Sequence, residues 1–103
     1  MDECASMDKV IKTAFDGTVL ANDGKQLNKG VWEFGVYLGT DGFVYYIEAI
    51  VKNNEVRYRI LRKNTVGEYL RWVDDIHSGK SGQLPAESNN IHYQAGWALR
   101  EIL

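Results

Sequence analysis

The chain has 103 residues, of which 45% are hydrophobic and 25% are charged, and this size and composition are typical of one globular domain over residues 1–103. Its formal net charge of −2 argues against a dedicated nucleic-acid-binding protein, because such proteins bind phosphates through an excess of basic side chains. One cysteine cannot form an internal disulfide, no secretory signal opens the sequence and no apolar run reaches roughly 18 residues, so we expect a cytoplasmic protein without a membrane partner.

The first predicted element is a helix near the N-terminus. Its apolar residues recur at helical spacing: Met7, Val10, Ile11, Ala14 and Phe15. The alternative is a hairpin in which residues 10–15 pair with residues 18–21 around Asp16-Gly17. We favour the helix, and residues 18–21 (TVLA) then form an optional short strand beside the main sheet.

The strongest signal lies in residues 31–63, which predict a three-stranded antiparallel meander. The stretches VWEFGVYL, FVYYIEAIVK and VRYRILRK alternate at a period of two and are rich in β-branched and aromatic residues. Asn53-Asn54 tolerates positive φ and predicts a two-residue turn between the second and third strands. That turn places Glu48 opposite Arg59, a favourable pair of opposite charges.

The turn between the first two strands decides the register of the meander. Asp41-Gly42 as a two-residue loop places Tyr37 opposite Tyr46, whereas a four-residue loop over residues 39–42 places Glu33 against Glu48. Both registers keep the same face apolar, and we favour the shorter loop because it avoids the like-charge pair. The other face, which we call the predicted sheet face, then carries Tyr37, Tyr46, Glu48, Arg57, Arg59 and Lys63.

Two helices are predicted after the meander. Thr65 and Glu68 have the spacing of a capping box, and the helix that they open ends at Gly79. Asn90 is expected to cap a final helix over residues 91–103, with an apolar line on one side and Tyr93, Trp97 and Arg100 on the other. The complete prediction is an α+β domain: an N-terminal helix, the meander with its optional fourth strand, and two C-terminal helices packed on one sheet face.

Few residues have the type and spacing that enzymatic chemistry needs. His77, His92 and the remote Cys4 cannot supply the three or four convergent ligands of a metal site. His77 is expected at a helix C-terminus, where positive charge is favourable, and His92 is expected to be partly exposed near a helix start. We assign no catalytic residue, no metal and no cofactor, and we favour a protein without enzymatic activity.

The leading functional hypothesis is a protein-binding module, of the inhibitor or immunity-protein kind that neutralises a basic partner such as a toxin. Three tryptophans and six tyrosines exceed what a small core needs, and aromatic residues are enriched at interface centres. Complementary charge favours docking of a basic partner on the acidic surface of the C-terminal helices, formed by Glu68, Asp74, Asp75 and Trp97. The predicted sheet face is the alternative surface, for a second subunit or for a nucleotide in a concave pocket around Gly35.

A metal-independent ribonuclease is the enzymatic alternative. Such chemistry needs cations that stabilise phosphate charge, which Arg57, Arg59 and Lys63 provide, and a proton-transfer group, for which Tyr46 and Glu48 are candidates. The segments VWEFGVY, FVYYIEAIVKNNEV and YRILRKNT resemble the strand pattern of RelE-type toxins, which cleave messenger RNA. The resemblance implies messenger RNA as the substrate.

Overall fold

The structure is a computed structural model that describes residues 10–28, 31–80 and 86–103, without the side chains of residues 28, 86 and 87. Residues 10–15 are the described part of the first helix, α1. The elements that follow are β1 (Thr18–Asn22), β2 (Gln26–Asn28), β3 (Val31–Trp32), β4 (Phe34–Leu38), β5 (Val44–Lys52), β6 (Glu55–Asn64), α2 (Val66–His77) and α3 (Ala86–Ile102). The α+β class is confirmed, with a helix and not a hairpin over residues 10–15. The earlier part of the predicted helix, with Met7, lies outside the described residues.

Strands β1, β4, β5 and β6 form an antiparallel sheet in the order β1-β4-β5-β6, and β2 pairs with β3 in a small second sheet. The optional fourth strand is therefore confirmed as β1. Asn53 and Asn54 have φ angles of 53° and 62° and close the β5–β6 hairpin as predicted. Lys52 is consequently opposite Glu55 in this hairpin.

Gly39 and Phe43, just beyond the ends of β4 and β5, are hydrogen-bonded across the hairpin, which leaves a three-residue loop, residues 40–42. The amide of Gly42 donates to the carbonyl of Gly39 at 3.0 Å, and the amide of Gly39 donates to the carbonyl of Phe43 at 2.9 Å. Gly42 has a φ of 85°, which glycine adopts without the steric cost of a side chain. A tight turn followed by a left-handed glycine is a common three-residue hairpin.

The length of this loop makes the predicted register wrong. Tyr37 pairs with Tyr45, and Val36 pairs with Tyr46, whereas both registers considered from the sequence differ from this one by one residue. Because side chains alternate between the two faces of a sheet, a shift of one residue exchanges the faces of β5 relative to β4.

Helices pack on both faces of the four-stranded sheet. One face meets α2 and α3, as predicted, and its buried cluster comprises Leu20, Ala21, Val36, Val44, Tyr69, Val73, Ile91, Ala95 and Leu99. The other face meets α1, in a cluster of Ile11, Ala14, Tyr37, Tyr45 and Ile47. The sheet is thus the middle layer of three.

The two C-terminal helices differ in how well the sequence predicts their starts. Thr65 Oγ1 accepts from the amide of Glu68 at 3.2 Å and the Glu68 carboxylate accepts from the amide of Thr65 at 2.8 Å, so the predicted capping box of α2 is confirmed. Helix α3 begins at Ala86 instead of after Asn90. Ala86 and Glu87 are strong helix formers, and they extend the helix ahead of the asparagines.

His92 fixes α3 against α2 and the sheet, and the expectation that it is partly exposed is wrong. The residue is 1% exposed, and its Nδ1 shares a hydrogen bond of 2.7 Å with the hydroxyl of Tyr69. The rings of Tyr46 and Trp72 meet the imidazole nearly edge to face, at centroid distances of 4.5 and 4.6 Å. His92 Nε2 is buried and has no hydrogen-bond partner among the described residues.

Burial, followed by the positive charge of Arg62, lowers the pKa of His92 from its ordinary value of 6.5 to about 4. As the pH falls, the His92 imidazole is therefore protonated in the unfolded chain before it is protonated in the folded protein. The stabilisation is complete above pH 6.5 and is lost as the pH falls toward 4, so we expect about 2 kcal/mol of unfolding free energy to disappear between pH 7.5 and 5.0. Urea unfolding at both pH values measures the loss.

Two variants assign the loss to one histidine. His92→Phe removes the titrating group, so its stability should change much less between the two pH values, although it is less stable at both because Tyr69 loses its partner. His77→Gln alters an exposed histidine and should retain the full loss. An unchanged pH dependence in His92→Phe would refute this assignment.

Candidate functional site

The six residues of the predicted sheet face do not share a face, because the three-residue loop separates the two tyrosines. Tyr37 is 2% exposed beneath α1, with its ring 5.0 Å from that of Phe15. Burial raises the pKa of Tyr37 to about 12. Tyr46 lies on the opposite face, against His92. Neither tyrosine is placed for an exposed binding surface.

Lys63 is on the α1 side of the sheet, away from the arginines with which it was grouped. Leu61 has no partner on β5 and is the extra residue of a β-bulge. After the bulge, Lys63 pairs with Tyr45, and its ammonium nitrogen lies 4.6 Å from the ring centroid of Phe43. Hydrophobic and polar residues alternate on both sides of the bulge, so the bulge cannot be recognised from the sequence pattern. For this reason the prediction placed Lys63 on the wrong face.

The two arginines remain together with Glu48 on the other face. Arg59 Nη2 lies 2.7 Å from Glu48 Oε2, which confirms the predicted cross-strand pair, and Arg57 is opposite Ile50. An arginine beside a carboxylate is less available to phosphate. With Tyr46 directed into the core and Lys63 on the far face, this arrangement adds no support to the ribonuclease hypothesis.

Tyr37 also fills the space around Gly35. A Cβ atom on Gly35 would lie 2.8 Å from the ring of Tyr37, so the backbone of this glycine is in contact with the tyrosine. The concave pocket that a nucleotide would need at this point of the sheet is therefore occupied by the protein's own side chain.

A concave surface does lie between the two C-terminal helices, and we call it the α2–α3 groove. It encloses about 240 Å³ and is lined by Val73, Asp74 and His77 of α2 and by Tyr93, Trp97 and Arg100 of α3. Residues three or four positions apart share one side of a helix, so each wall of the groove is one helical stripe. The side of α3 that was predicted to be aromatic forms one of these walls.

Polar and aromatic contacts cross the groove. Arg100 Nη2 donates to Asp74 Oδ1 at 2.7 Å, joining the two helices. The ring of His77 meets that of Tyr93 at a centroid distance of 5.0 Å and an angle of 74°. Val73, at the base of the groove, is 3% exposed and belongs to the hydrophobic core, so the base of the groove is part of the packed interior.

Trp97 is the most exposed aromatic residue of the groove, with 69% of its surface accessible. Of the predicted acidic surface, Asp74 and Trp97 both line the groove, whereas Asp75 is half-buried and lies next to Asp74 on α2, outside the lining. Glu68 lies in the first turn of α2 and is part of the capping box, where the hydrogen bond from the Thr65 amide lowers the pKa of its carboxyl group. The acidic surface is therefore divided, and only two of its residues line the groove.

A second, more polar cavity of about 390 Å³ lies between the β1–β2 connection and α3. Two of its acceptors are used by local turns: Asn22 Oδ1 accepts from the amide of Gly24 at 2.8 Å, and Asp23 Oδ1 accepts from the amide of Lys25 at 3.1 Å. These side chains stabilise the loop, so the α2–α3 groove is the better candidate site. Over the described residues, no cluster of histidine, cysteine and acidic side chains has the arrangement of a metal site.

Comparison of the chain with protein-family models, with curated proteins and with solved structures finds no match. Within residues 10–28, 31–80 and 86–103, none of the helices has the length and apolar character needed to cross a membrane.

Gly96 sets the width of the groove, because α3 approaches α2 at this residue. A Cβ atom there would lie 3.3 Å from Val73 Cγ1, whereas one on Gly67 in α2 would meet nothing within 4 Å. Gly67→Ala should therefore stabilise the protein by about 0.5–1 kcal/mol through helix propensity alone. Gly96→Ala gains the same propensity but crowds Val73, so it should be less stable than Gly67→Ala by about 1 kcal/mol or more.

Thermal or urea unfolding of the two variants beside the parent protein measures this difference. Equal stabilisation by both alanines would show that the helices are not in close contact at Gly96.

Proposed function

We propose that the protein is a non-enzymatic binding module of the inhibitor kind, which docks a basic protein partner on the α2–α3 groove. The observation that carries the proposal is the position of Trp97. A large aromatic side chain, 69% exposed, stands beside a concavity with a buried floor. Tryptophan is strongly enriched among the residues that dominate binding energy, and an anchor of this kind functions next to a cavity.

The surroundings of Trp97 fit a protein surface that becomes covered by a partner. Tyr93 adds a second ring one helical turn away, and the hydroxyl and indole N–H groups supply polar contacts at the edge of an apolar area. Trp97 makes no ring–ring contact with the described residues, so no other aromatic side chain holds it in place. Such a residue gains most from burial when a partner binds.

The net charge of the chain, −2, favours a basic partner. In the groove itself one carboxylate, Asp74, with 66% of its side chain exposed, is paired with one arginine, Arg100. An acidic protein attracts a positively charged partner and accelerates its approach, an effect that weakens as salt concentration rises. An inhibitor that covers the basic site of its target uses charge in this manner.

Affinity capture with the full-length chain tests the proposal. The parent protein, Trp97→Ala and the control Ile50→Ala are immobilised, exposed to extract of the native host, and the retained proteins are quantified by mass spectrometry. Ile50 is a matched control because it is also apolar, is 51% exposed and is not among the residues that line the groove. Loss of an interface anchor costs about 2 kcal/mol or more, so Trp97→Ala should retain at least about tenfold less of a basic partner.

Ile50→Ala should retain that partner within about twofold of the parent protein. The proposal fails if the parent protein and Trp97→Ala retain the same proteins in the same amounts, or if the retained partner depends on Ile50 and not on Trp97.

A further inference from the structure

Arg100 shows what kind of group the α2–α3 groove can hold. Its guanidinium is bound to Asp74 across two helices, at 2.7 Å, and both side chains are in contact with solvent, with 42% of Arg100 and 66% of Asp74 exposed. An ion pair in contact with solvent is weak and is exchanged easily. The groove therefore contains a guanidinium site whose present occupant comes from the protein itself.

Asp74 has capacity for a second guanidinium. Only its Oδ1 accepts a hydrogen bond from the described residues, from a single nitrogen of Arg100, and 66% of the side chain is exposed. A carboxylate offers about four acceptor positions, and an arginine that approaches in the plane of the carboxylate can use both oxygens. An incoming side chain with better alignment can therefore displace or flank Arg100.

The aromatic wall suits the flat face of the same group. Trp97 and Tyr93 are one turn apart on α3, and a guanidinium stacks on tryptophan more readily than an ammonium does. The protein already contains such a contact elsewhere, since Arg62 Cζ lies 3.8 Å from the ring centroid of Trp72. The size is also appropriate, because about 240 Å³ is below the roughly 300–1,000 Å³ of sites that enclose drug-sized ligands and accommodates one side chain.

We propose that the α2–α3 groove binds an arginine side chain of the partner protein, between Trp97 and Asp74, and that Arg100 competes with it for Asp74. This inference rests on the proposed function and names the chemistry of the contact. Arg100 then acts as an internal competitor, because it neutralises Asp74 while no partner is bound. A ligand must displace Arg100, and a well-oriented guanidinium does so better than an ammonium.

N-acetyl-arginine amide is the probe, and N-acetyl-citrulline amide, which has the same shape without the charge, is its control. Binding is followed on the full chain through the NMR signal of the Trp97 indole N–H, assigned by its disappearance in Trp97→Ala. The arginine probe should shift this signal saturably, and the citrulline probe should shift it at least fivefold less at equal concentration. Asp74→Asn should weaken arginine binding at least fivefold, whereas Arg100→Gln should strengthen it at least twofold.

Asp74 and Arg100 are exposed, so both variants should fold, and their unfolding midpoints verify this. Equal shifts by citrulline, or a loss of binding in Arg100→Gln, would overturn the inference. The two proposals fail in distinguishable ways. Partner capture that depends on Trp97 without arginine binding refutes the arginine site alone, and arginine binding without Trp97-dependent capture refutes the proposed function alone.

Discussion

The three-residue loop between β4 and β5 determines which side chains of the sheet lie together, and both hydrophobic cores depend on it. Its odd length places Val36 and Tyr46 on one face and Tyr37 and Tyr45 on the other. The loop is held locally, since the carboxylate of Asp41 accepts from the Phe43 amide at 3.0 Å and from the Tyr45 hydroxyl. With aromatic residues directed to both sides, the sheet requires helices on both sides, and the fold supplies α1 on one and α2 with α3 on the other.

This arrangement explains where an exposed aromatic surface remains. Helices cover both faces of the sheet, so Tyr37 is buried and Tyr46 is half-buried against the core, and neither forms an exposed binding face. On α3, Ile91, His92 and Leu99 are directed into the core, and the opposite stripe, with Trp97, is necessarily left at the surface beside α2. The position of the candidate site therefore follows from how α3 packs on the rest of the fold. His92 fixes that packing through its hydrogen bond with Tyr69 and its ring contacts with Tyr46 and Trp72.

Short-range signals in the sequence predicted well. The capping box of α2 and the Asn53-Asn54 hairpin each depend on residues within a few positions of one another, and both are confirmed. The predictions that depended on the length of the β4–β5 loop, or on an unbroken β6 strand, were wrong. One residue more or less exchanges the faces of a strand, and neither the loop over residues 40–42 nor the bulge at Leu61 changes the alternation of hydrophobic residues in the sequence. A signal was present nonetheless, because β4 and β5 are apolar on both sides, as strands covered on both faces are. His92 was misplaced for a related reason: a helix start at residue 91 put it at an exposed end, whereas the helix begins at Ala86 and makes it an interior residue.

The register of β4 against β5 is therefore the claim from which the position of the candidate site follows, and proton–proton contacts between aromatic rings measure it directly. Nuclear Overhauser spectra should connect the ring of Tyr37 to Phe15, at a centroid distance of 5.0 Å, and the ring of Tyr46 to His92, at 4.5 Å. A direct contact between the rings of Tyr37 and Tyr46 would place both on one face, restore the exposed sheet surface that the sequence pattern predicted, and contradict the present account.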